Sequence, residues 1–138
     1  MKKLPPAAAA AVAAIVMTLP AAATSVAVQL NLLAGNANRQ LKACGITHHY
    51  TVYRVGARVT MSGKVLPAPA GTWDVKIKLK KCLNGRFQAI WSTHTRGHAD
   101  GSFKASYPAR RRGSFFARAY YYGVTPAVRS DKQFFRAS

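Results

Sequence analysis

Apolar and polar residues alternate along much of the chain after Tyr53, with a period of two. The clearest stretch takes apolar and charged side chains in turn: Trp73, Asp74, Val75, Lys76, Ile77, Lys78, Leu79 and Lys80. Because successive side chains of a strand point to opposite faces, this alternation predicts a half-buried β-strand. Helical periodicity is not found in this region. The pattern therefore predicts an all-β protein that folds as a small antiparallel β-sandwich.

Turn residues mark the ends of the other predicted strands. Asn84 with Gly85, and Asp100 with Gly101, have the composition of tight hairpin turns. The strands predicted around them are residues 53–65 with a break near Gly56, 87–95, 103–107, 114–122 and 132–136. Alternation within the second of these predicts that Phe87, Ala89 and Trp91 share one face.

The first 27 residues have the features of a secretory signal peptide. Lys2 and Lys3 precede an uncharged apolar stretch at residues 4–19, and small residues follow it. We predict export of the chain and cleavage after Ala23 or Ala27. The alternative is an uncleaved membrane anchor, because residues 4–23 together are just long enough to span a bilayer.

The rest of the chain is long enough for one small domain. We assign residues 28–52 to an N-terminal extension and residues 53–138 to the sandwich. In the extension, Val28, Leu30 and Leu32 alternate with polar residues and precede a segment with the composition of a hinge. Such an apolar strand could pair with the edge of a partner's sheet, or it could be the first strand of its own sandwich.

The chain contains two cysteines, Cys44 and Cys82. Export would place them in an oxidising compartment, where two thiols of a small domain usually form a structural disulfide. We predict one Cys44–Cys82 bridge, which would join the segment before the first strand to a central strand. In the chain-entropy treatment, a bridge closing a loop of this length stabilises the fold by about 4 kcal/mol.

The composition excludes several classes of function. The chain has 21 Lys plus Arg and only three carboxylate side chains, Asp74, Asp100 and Asp131, which gives a net charge of +18. Removal of the signal peptide takes away Lys2 and Lys3 and leaves +16. A catalytic pair of carboxylates or an oxygen cage for Ca²⁺ is hard to build from three Asp. The charge favours an anionic partner instead.

The main candidate site is a cationic face with interleaved aromatic rings. Alternation places Lys76, Lys78 and Lys80 on one face of their strand. If Phe115, Ala117, Ala119 and Tyr121 face inward, the outward residues of their strand are Phe116, Arg118, Tyr120 and Tyr122; Arg110, Arg111 and Arg112 form a cationic turn before it. Cations beside rings suit phosphate polymers, acidic glycans or an acidic protein surface. The alternative is that the lysines only keep a strand face solvated and that the aromatic parity is reversed.

The sequence predicts neither a catalytic site nor a metal site. His48 and His49 are adjacent, so they would point to opposite faces of a strand, and His94 and His98 lack a third ligand. No Gly-x-Ser-x-Gly nucleophile motif is present. We therefore expect no enzyme, no cofactor and no small-molecule substrate.

The order of strands and turns resembles the immunoglobulin-like and fibronectin III-like sandwich domains of proteins secreted by high-GC Gram-positive bacteria. The resemblance rests on residues 59–65, the Trp73 strand, and residues 99–103 and 116–120, and it covers residues 53–136. Domains of that kind usually bind or space other modules, so the resemblance implies no reaction. The short sandwich with an apolar N-terminal strand also looks like the adaptor subunits of umbrella-shaped toxin particles.

We expect a secreted interaction module. In the first hypothesis it is an adaptor that docks onto a secreted protein partner, with an acidic surface or a sheet edge, through residues 28–33 and the cationic face. In the alternative it binds an anionic envelope polymer, such as teichoic acid, an acidic glycan or nucleic acid without sequence specificity, or it acts as an antimicrobial protein. In either case the protein is extracellular, in the medium or held on the cell wall by charge.

Overall fold

A computed structural model describes residues 25–33 and 35–138 of the chain. These residues form ten strands and no helix: β1 (Ala27–Leu32), β2 (Ala37–Ala43), β3 (Ile46–Tyr53), β4 (Arg58–Leu66), β5 (Asp74–Leu83), β6 (Arg86–Arg96), β7 (Ser102–Pro108), β8 (Gly113–Tyr121), β9 (Val128–Arg129) and β10 (Gln133–Ala137). They contain no helix of the length and apolarity that a bilayer crossing needs. Most of the predicted signal peptide, residues 1–24, lies outside the described residues.

The strands form two sheets that pack face to face. The smaller sheet has the order β1-β4-β7, and the larger one has the order β2-β3-β10-β8-β5-β6 with β9 paired to β8. The β3–β10 pair is parallel, and the other pairs are antiparallel. The predicted all-β sandwich is confirmed.

The core between the sheets is built from the inward-facing side chains of the alternating strands. Trp73, which directly precedes β5, belongs to this core. β5 and β8 contribute Val75, Ile77, Leu79, Phe115, Ala117, Ala119 and Tyr121. The Phe115 ring stacks on Phe135 of β10, with 4.8 Å between the ring centroids. Full burial of a large apolar side chain stabilises the fold by about 1.5–3 kcal/mol. The predicted inward parity of β8 is therefore confirmed.

A second apolar cluster lies on the outer face of the larger sheet. Its buried members are Tyr50, Phe116 and Phe134, and the half-buried Phe87 packs against them. Phe116 and Phe134 are cross-strand neighbours of β8 and β10, and Tyr50 belongs to β3. Phe116 thus faces outward as predicted, but it is covered by this outer cluster and does not form part of an exposed surface.

The Cys44–Cys82 disulfide is present, as predicted. Cys44 occupies the turn between β2 and β3, where its φ is 48°, and Cys82 lies near the end of β5. The bridge therefore fastens the β2–β3 hairpin to an interior strand of the same sheet. It does not join a segment that precedes the first strand.

Residues 28–52, predicted as an extension, are part of the sandwich. β1 pairs with β4 over its whole length, from Ala27 opposite Leu66 to Leu32 opposite Met61. β2 and β3 pair with each other, and β3 continues into the larger sheet beside β10. β2 and β3 were not predicted because most of their side chains are polar and do not alternate with apolar ones.

A β-bulge in β6 changes which of its side chains share a face. Ile90 is the extra residue in the pairing of β6 with β5. Before the bulge, Phe87 packs in the outer cluster, whereas Trp91 packs against the core between the sheets. The prediction that Phe87, Ala89 and Trp91 share one face is wrong, because a period of two does not continue across an inserted residue.

Candidate anion-binding face

The outer face of β5 carries a row of three lysines. Lys76, Lys78 and Lys80 are partly exposed and alternate with core residues that have no exposed surface. Alternate residues of a strand lie about 7 Å apart, so the three side chains leave the strand at even intervals. The predicted placement is confirmed, and these residues are called the lysine row below.

Aromatic rings on the neighbouring β8 hold two ammonium groups of the lysine row. Lys78 Nζ lies 4.6 Å from the centroid of the Tyr120 ring, and Lys80 Nζ lies 5.9 Å from that of Phe116. Lys132, which the sequence analysis did not select, brings its Nζ to 4.9 Å from the same Phe116 ring. Such cation–π contacts are worth about 0.5–1 kcal/mol at exposed sites. They restrict where the ammonium groups can lie before a partner arrives.

Tyr120 and Tyr122 extend the aromatic surface beside the lysine row. Their rings are stacked, with centroids 6.2 Å apart and planes inclined by 12°, and Tyr122 is 53% exposed. In the sheet register, Tyr120 lies between Lys76 of β5 and Arg129 of β9. Cations and rings therefore alternate across three strands. Sequence reasoning missed Arg129 because β9, with two residues, is too short to show alternation.

Arg118 faces outward opposite Lys78, but part of its guanidinium group is bound by the backbone. Its Nε donates a hydrogen bond to the Ser130 carbonyl oxygen at 2.7 Å. The buried Ser130 hydroxyl in turn accepts from the Ala119 N–H at 2.9 Å. Arg118 thus adds positive charge beside the lysine row while it fixes the β9–β10 connection to β8.

Carboxylates do not neutralise the lysine row. Among the residues that the structure describes, the one side-chain contact of salt-bridge length joins His94 Nδ1 to Asp74 Oδ2 at 2.9 Å, and no Lys or Arg side chain reaches a carboxylate. Asp100 is bound by Ser102, whose hydroxyl and N–H both donate to its Oδ1. The positive charge of the lysine row therefore has no carboxylate in contact with it among the described residues.

None of the three arginines of the β7–β8 turn lines the hollow beside Lys76 and Lys78. Arg110, Arg111 and Arg112 are all exposed. Arg110 and Arg111 line a cleft at one end of the sandwich, together with Lys81 and not with the lysine row. The cations predicted to form one face are therefore not all together, because Arg110 and Arg111 line this cleft and the lysine row does not.

β1 does not offer its apolar side chains to a partner. Val28 and Leu30 are 8% and 3% exposed, and Leu32 packs half-buried against the same core. One backbone edge of β1 pairs with β4, and its other edge is the margin of the smaller sheet. The predicted partner strand is the first strand of its own sandwich, and its apolar side chains are buried there rather than offered to a partner.

The histidines do not converge on a metal site. Within residues 25–33 and 35–138, no three His, Cys, Asp or Glu side chains lie close enough together to hold an ion. The His48 ring instead stacks on Phe134, with 4.3 Å between the centroids. His94 is the partner of Asp74.

The outer face can donate charged hydrogen bonds and stack rings against a partner. Ammonium groups bind phosphate and carboxylate oxygens, and exposed tyrosine rings stack on planar groups. No protein-family model matches the sequence, and comparison with curated proteins finds no match either. The chemistry of the exposed residues is therefore what indicates the class of partner.

Proposed function

We propose that the protein is a secreted, non-enzymatic binding module that docks its outer face onto an extended anionic polymer of a cell envelope. The lysine row is the observation that most supports this function. Two of its ammonium groups are held against aromatic rings. None of the three forms an ion pair within the described chain.

The even spacing of the lysine row favours a polymer over a compact acidic protein. Teichoic acids and acidic glycans carry charge at regular intervals along an extended chain, whereas the carboxylates of a folded protein surface do not repeat. Each ammonium group that neutralises a phosphate releases a condensed counterion, so affinity falls steeply with salt. Loss of all three contacts should reduce the slope of log affinity against log salt concentration by about three, which is about one for each lysine.

Binding to long-chain polyphosphate, measured by calorimetry at several NaCl concentrations, tests this proposal. The test variant is the triple substitution Lys76→Gln, Lys78→Gln and Lys80→Gln. The matched control is Arg58→Gln, Lys64→Gln and Lys104→Gln, which removes the same charge from exposed positions of the smaller sheet. The test variant should bind more weakly with a flatter salt dependence, and the control should keep most of the affinity.

Two results would contradict the proposal. Equal losses in the two variants would mean that net charge, and not the lysine row, attracts the polymer. Tighter binding of poly-L-glutamate than of polyphosphate at equal charge would favour an acidic polypeptide partner.

An adaptor role with a protein partner is the second candidate function, and the free edge of β1 favours it. β1 is the outer strand of the smaller sheet, with Gln29 and Asn31 exposed beside that edge. A strand from a partner could pair there through main-chain hydrogen bonds. The adaptor hypothesis is therefore compatible with the position of β1 if the partner pairs with the backbone edge of β1 and does not bind its apolar side chains.

Amide hydrogen exchange tests the adaptor role. A complex purified with the tagged protein from culture medium should survive high salt, because main-chain pairing is screened less than surface charge. In that complex the β1 amides should exchange more slowly than in the free protein. A complex that survives high salt without this protection would exclude strand pairing at β1. Deletion of residues 28–33 is not a usable test, because it would remove Val28 and Leu30 from the core.

A further inference from the structure

A cleft of about 560 Å³ opens at one end of the sandwich, where the edge of the larger sheet meets β7. Its walls come from β5, β6, β7, β8 and the β7–β8 turn. A volume of this size lies in the range of pockets that bind small organic ligands, about 300–1,000 Å³. None of the three residues of the lysine row lines the cleft, so its occupant is a separate question.

Three aromatic rings form one side of the cleft. The Trp91 and Tyr107 rings lie 5.1 Å apart and are inclined by 55°, and the Tyr107 ring lies 6.1 Å from Phe115. Trp91 reaches this position because the bulge at Ile90 turns it toward the core side of β6. Trp91 and Tyr107 are both half-buried, so their rings are partly available to a ligand.

Three cations surround these rings. Lys81 Nζ lies 5.4 Å from the centroid of the Phe115 ring, and Arg110 and Arg111 also line the cleft. The turn that carries the two arginines is fixed by the buried Ala109, whose N–H donates to Ala57 O at 3.0 Å and whose carbonyl accepts from the Gly56 N–H at 2.7 Å. None of the residues that line the cleft is a carboxylate.

We propose that this cleft binds a small aromatic anion: one aryl group with a single sulfonate, sulfate, phosphate or carboxylate. The aryl group would pack on Trp91 and Tyr107, and the anionic group would accept hydrogen bonds from Arg110, Arg111 and Lys81. This inference does not depend on the polymer-binding function, because it uses none of the lysine row.

The combination of rings and cations selects this ligand class over simpler ones. An inorganic anion would leave the aromatic surface in contact with water, and so would gain nothing from its burial. A neutral aromatic compound would leave three like charges unneutralised around it. A ligand with both an aryl group and an anionic group would cover the aromatic rings and neutralise the cations of the cleft.

Binding of 1-naphthalenesulfonate, measured by calorimetry and located by NMR shifts of the Trp91 indole and the Tyr107 and Arg110 amides, tests the proposal. Substitution of both Arg110→Gln and Arg111→Gln should weaken binding about tenfold, as expected for the loss of two charge-assisted contacts. The matched control, Arg39→Gln with Arg112→Gln, removes the same charge from exposed positions outside the cleft. This control and the triple substitution of the lysine row should both keep the affinity.

Comparison ligands make the result decisive. Sodium sulfate tests charge alone, 1-naphthalenemethanol tests the aryl group alone, and octyl sulfate replaces the ring by an alkyl chain. All three should bind more weakly than 1-naphthalenesulfonate. Equal binding of sulfate, tighter binding of octyl sulfate, or equal losses in the two arginine variants would overturn the proposal. Failure of polyphosphate binding would leave this outcome unaffected, so the two proposals fail separately.

Discussion

The Tyr50 hydroxyl is buried in the outer cluster and has no hydrogen-bond partner among the described residues. Its ring packs edge-on against Phe134, with 5.3 Å between the centroids. Burial raises the pKa of Tyr50, although the charge of Arg136 acts in the opposite direction. A buried hydroxyl without a partner costs about 1–3 kcal/mol, so the ring stabilises this cluster while its polar atom opposes it.

Replacement of Tyr50 by Phe should therefore stabilise the protein. We expect the free energy of unfolding in urea to rise by about 1 kcal/mol, because the substitution removes the unpaired hydroxyl and keeps the ring. Tyr53→Phe is the matched control, because the Tyr53 hydroxyl donates to the Leu33 carbonyl oxygen. That control should lose about 1 kcal/mol. A loss of stability in Tyr50→Phe as large as in the control would show that the Tyr50 hydroxyl is satisfied.

Asp100 should make the stability depend on pH in acid. The hydrogen bond from the Ser102 hydroxyl, then that from the Ser102 N–H, and the charges of Lys64 and His98 hold the pKa of Asp100 below its ordinary value of 3.8. Because the native pKa is lowered, the carboxylate stabilises the fold above pH 3.8. That contribution is lost as the pH falls through the lower native value.

The test follows the free energy of unfolding as the pH is lowered stepwise from about 5 through 3.8 and below. Asp100→Asn should show a smaller decrease in acid than the native chain. Ser102→Ala should show an intermediate decrease, because it removes the hydroxyl donor and keeps the backbone N–H. An unchanged acid decrease in Asp100→Asn would place the titrating group elsewhere.

At the scale of elements, the bulge in β6 decides where two aromatic side chains pack. Ile90 interrupts the alternation, so that Phe87 can join the outer cluster while Trp91 lines the core and the cleft. β6 is the edge strand of the larger sheet, which is a position where bulges are common. Because Phe87 and Trp91 are four residues apart, the bulge between them is what places their rings on opposite faces of the sheet.

Deletion of Ile90 should leave both aromatic clusters in place. Without it, Phe87 and Trp91 would be three residues apart in a regular strand, which keeps the two rings on opposite faces, so the cost should be no more than about 1 kcal/mol. Ile90→Ser should cost less than about 1 kcal/mol, because it keeps the bulge and Ile90 is one of the exposed large apolar residues. Urea unfolding and the near-ultraviolet circular dichroism of the aromatic rings measure both effects. A loss of about 3 kcal/mol or more in the deletion variant, with altered aromatic signals, would mean that the bulge itself is needed to keep the two rings packed.

The elements that sequence predicted well are those whose two faces differ sharply. In β5, buried apolar residues alternate with lysines, so the strand and the lysine row follow from sequence directly. Asn84 and Gly85, with φ of 53° and 82°, form the predicted hairpin turn between β5 and β6. Both features can be predicted from sequence because each depends on the side chains of neighbouring residues and not on distant parts of the chain.

Sequence predicted poorly the features that depend on partners distant in the chain. The β2–β3 hairpin has few buried residues, and it is held by the disulfide and by the cluster around Tyr50. The place of β1 depends on β4, and the phase change in β6 depends on its pairing with β5. The separation of Arg110 and Arg111 from the lysine row likewise required the assembled sheets.

At the scale of the whole molecule, positive charge greatly exceeds negative charge. The chain has 21 Lys plus Arg against three Asp, and in the part that the structure describes no Lys or Arg side chain pairs with a carboxylate. Folding brings these charges closer together than they are in the expanded unfolded chain. Mutual repulsion therefore destabilises the native state, and it does so most where cations are concentrated.

Salt should for this reason stabilise the protein. The screening length falls from about 30 Å at 0.01 M to about 10 Å at 0.1 M ionic strength. Over that range we expect the free energy of unfolding to rise by about 1 kcal/mol, with the same urea assay at each NaCl concentration. The triple Gln variant of the lysine row should be more stable than the native chain at low salt and should gain less from added salt. A decrease with salt would mean that attractive pairs outweigh repulsion. An increase that the triple variant reduces would show that the lysine row contributes to this repulsion and lowers the stability of the native state.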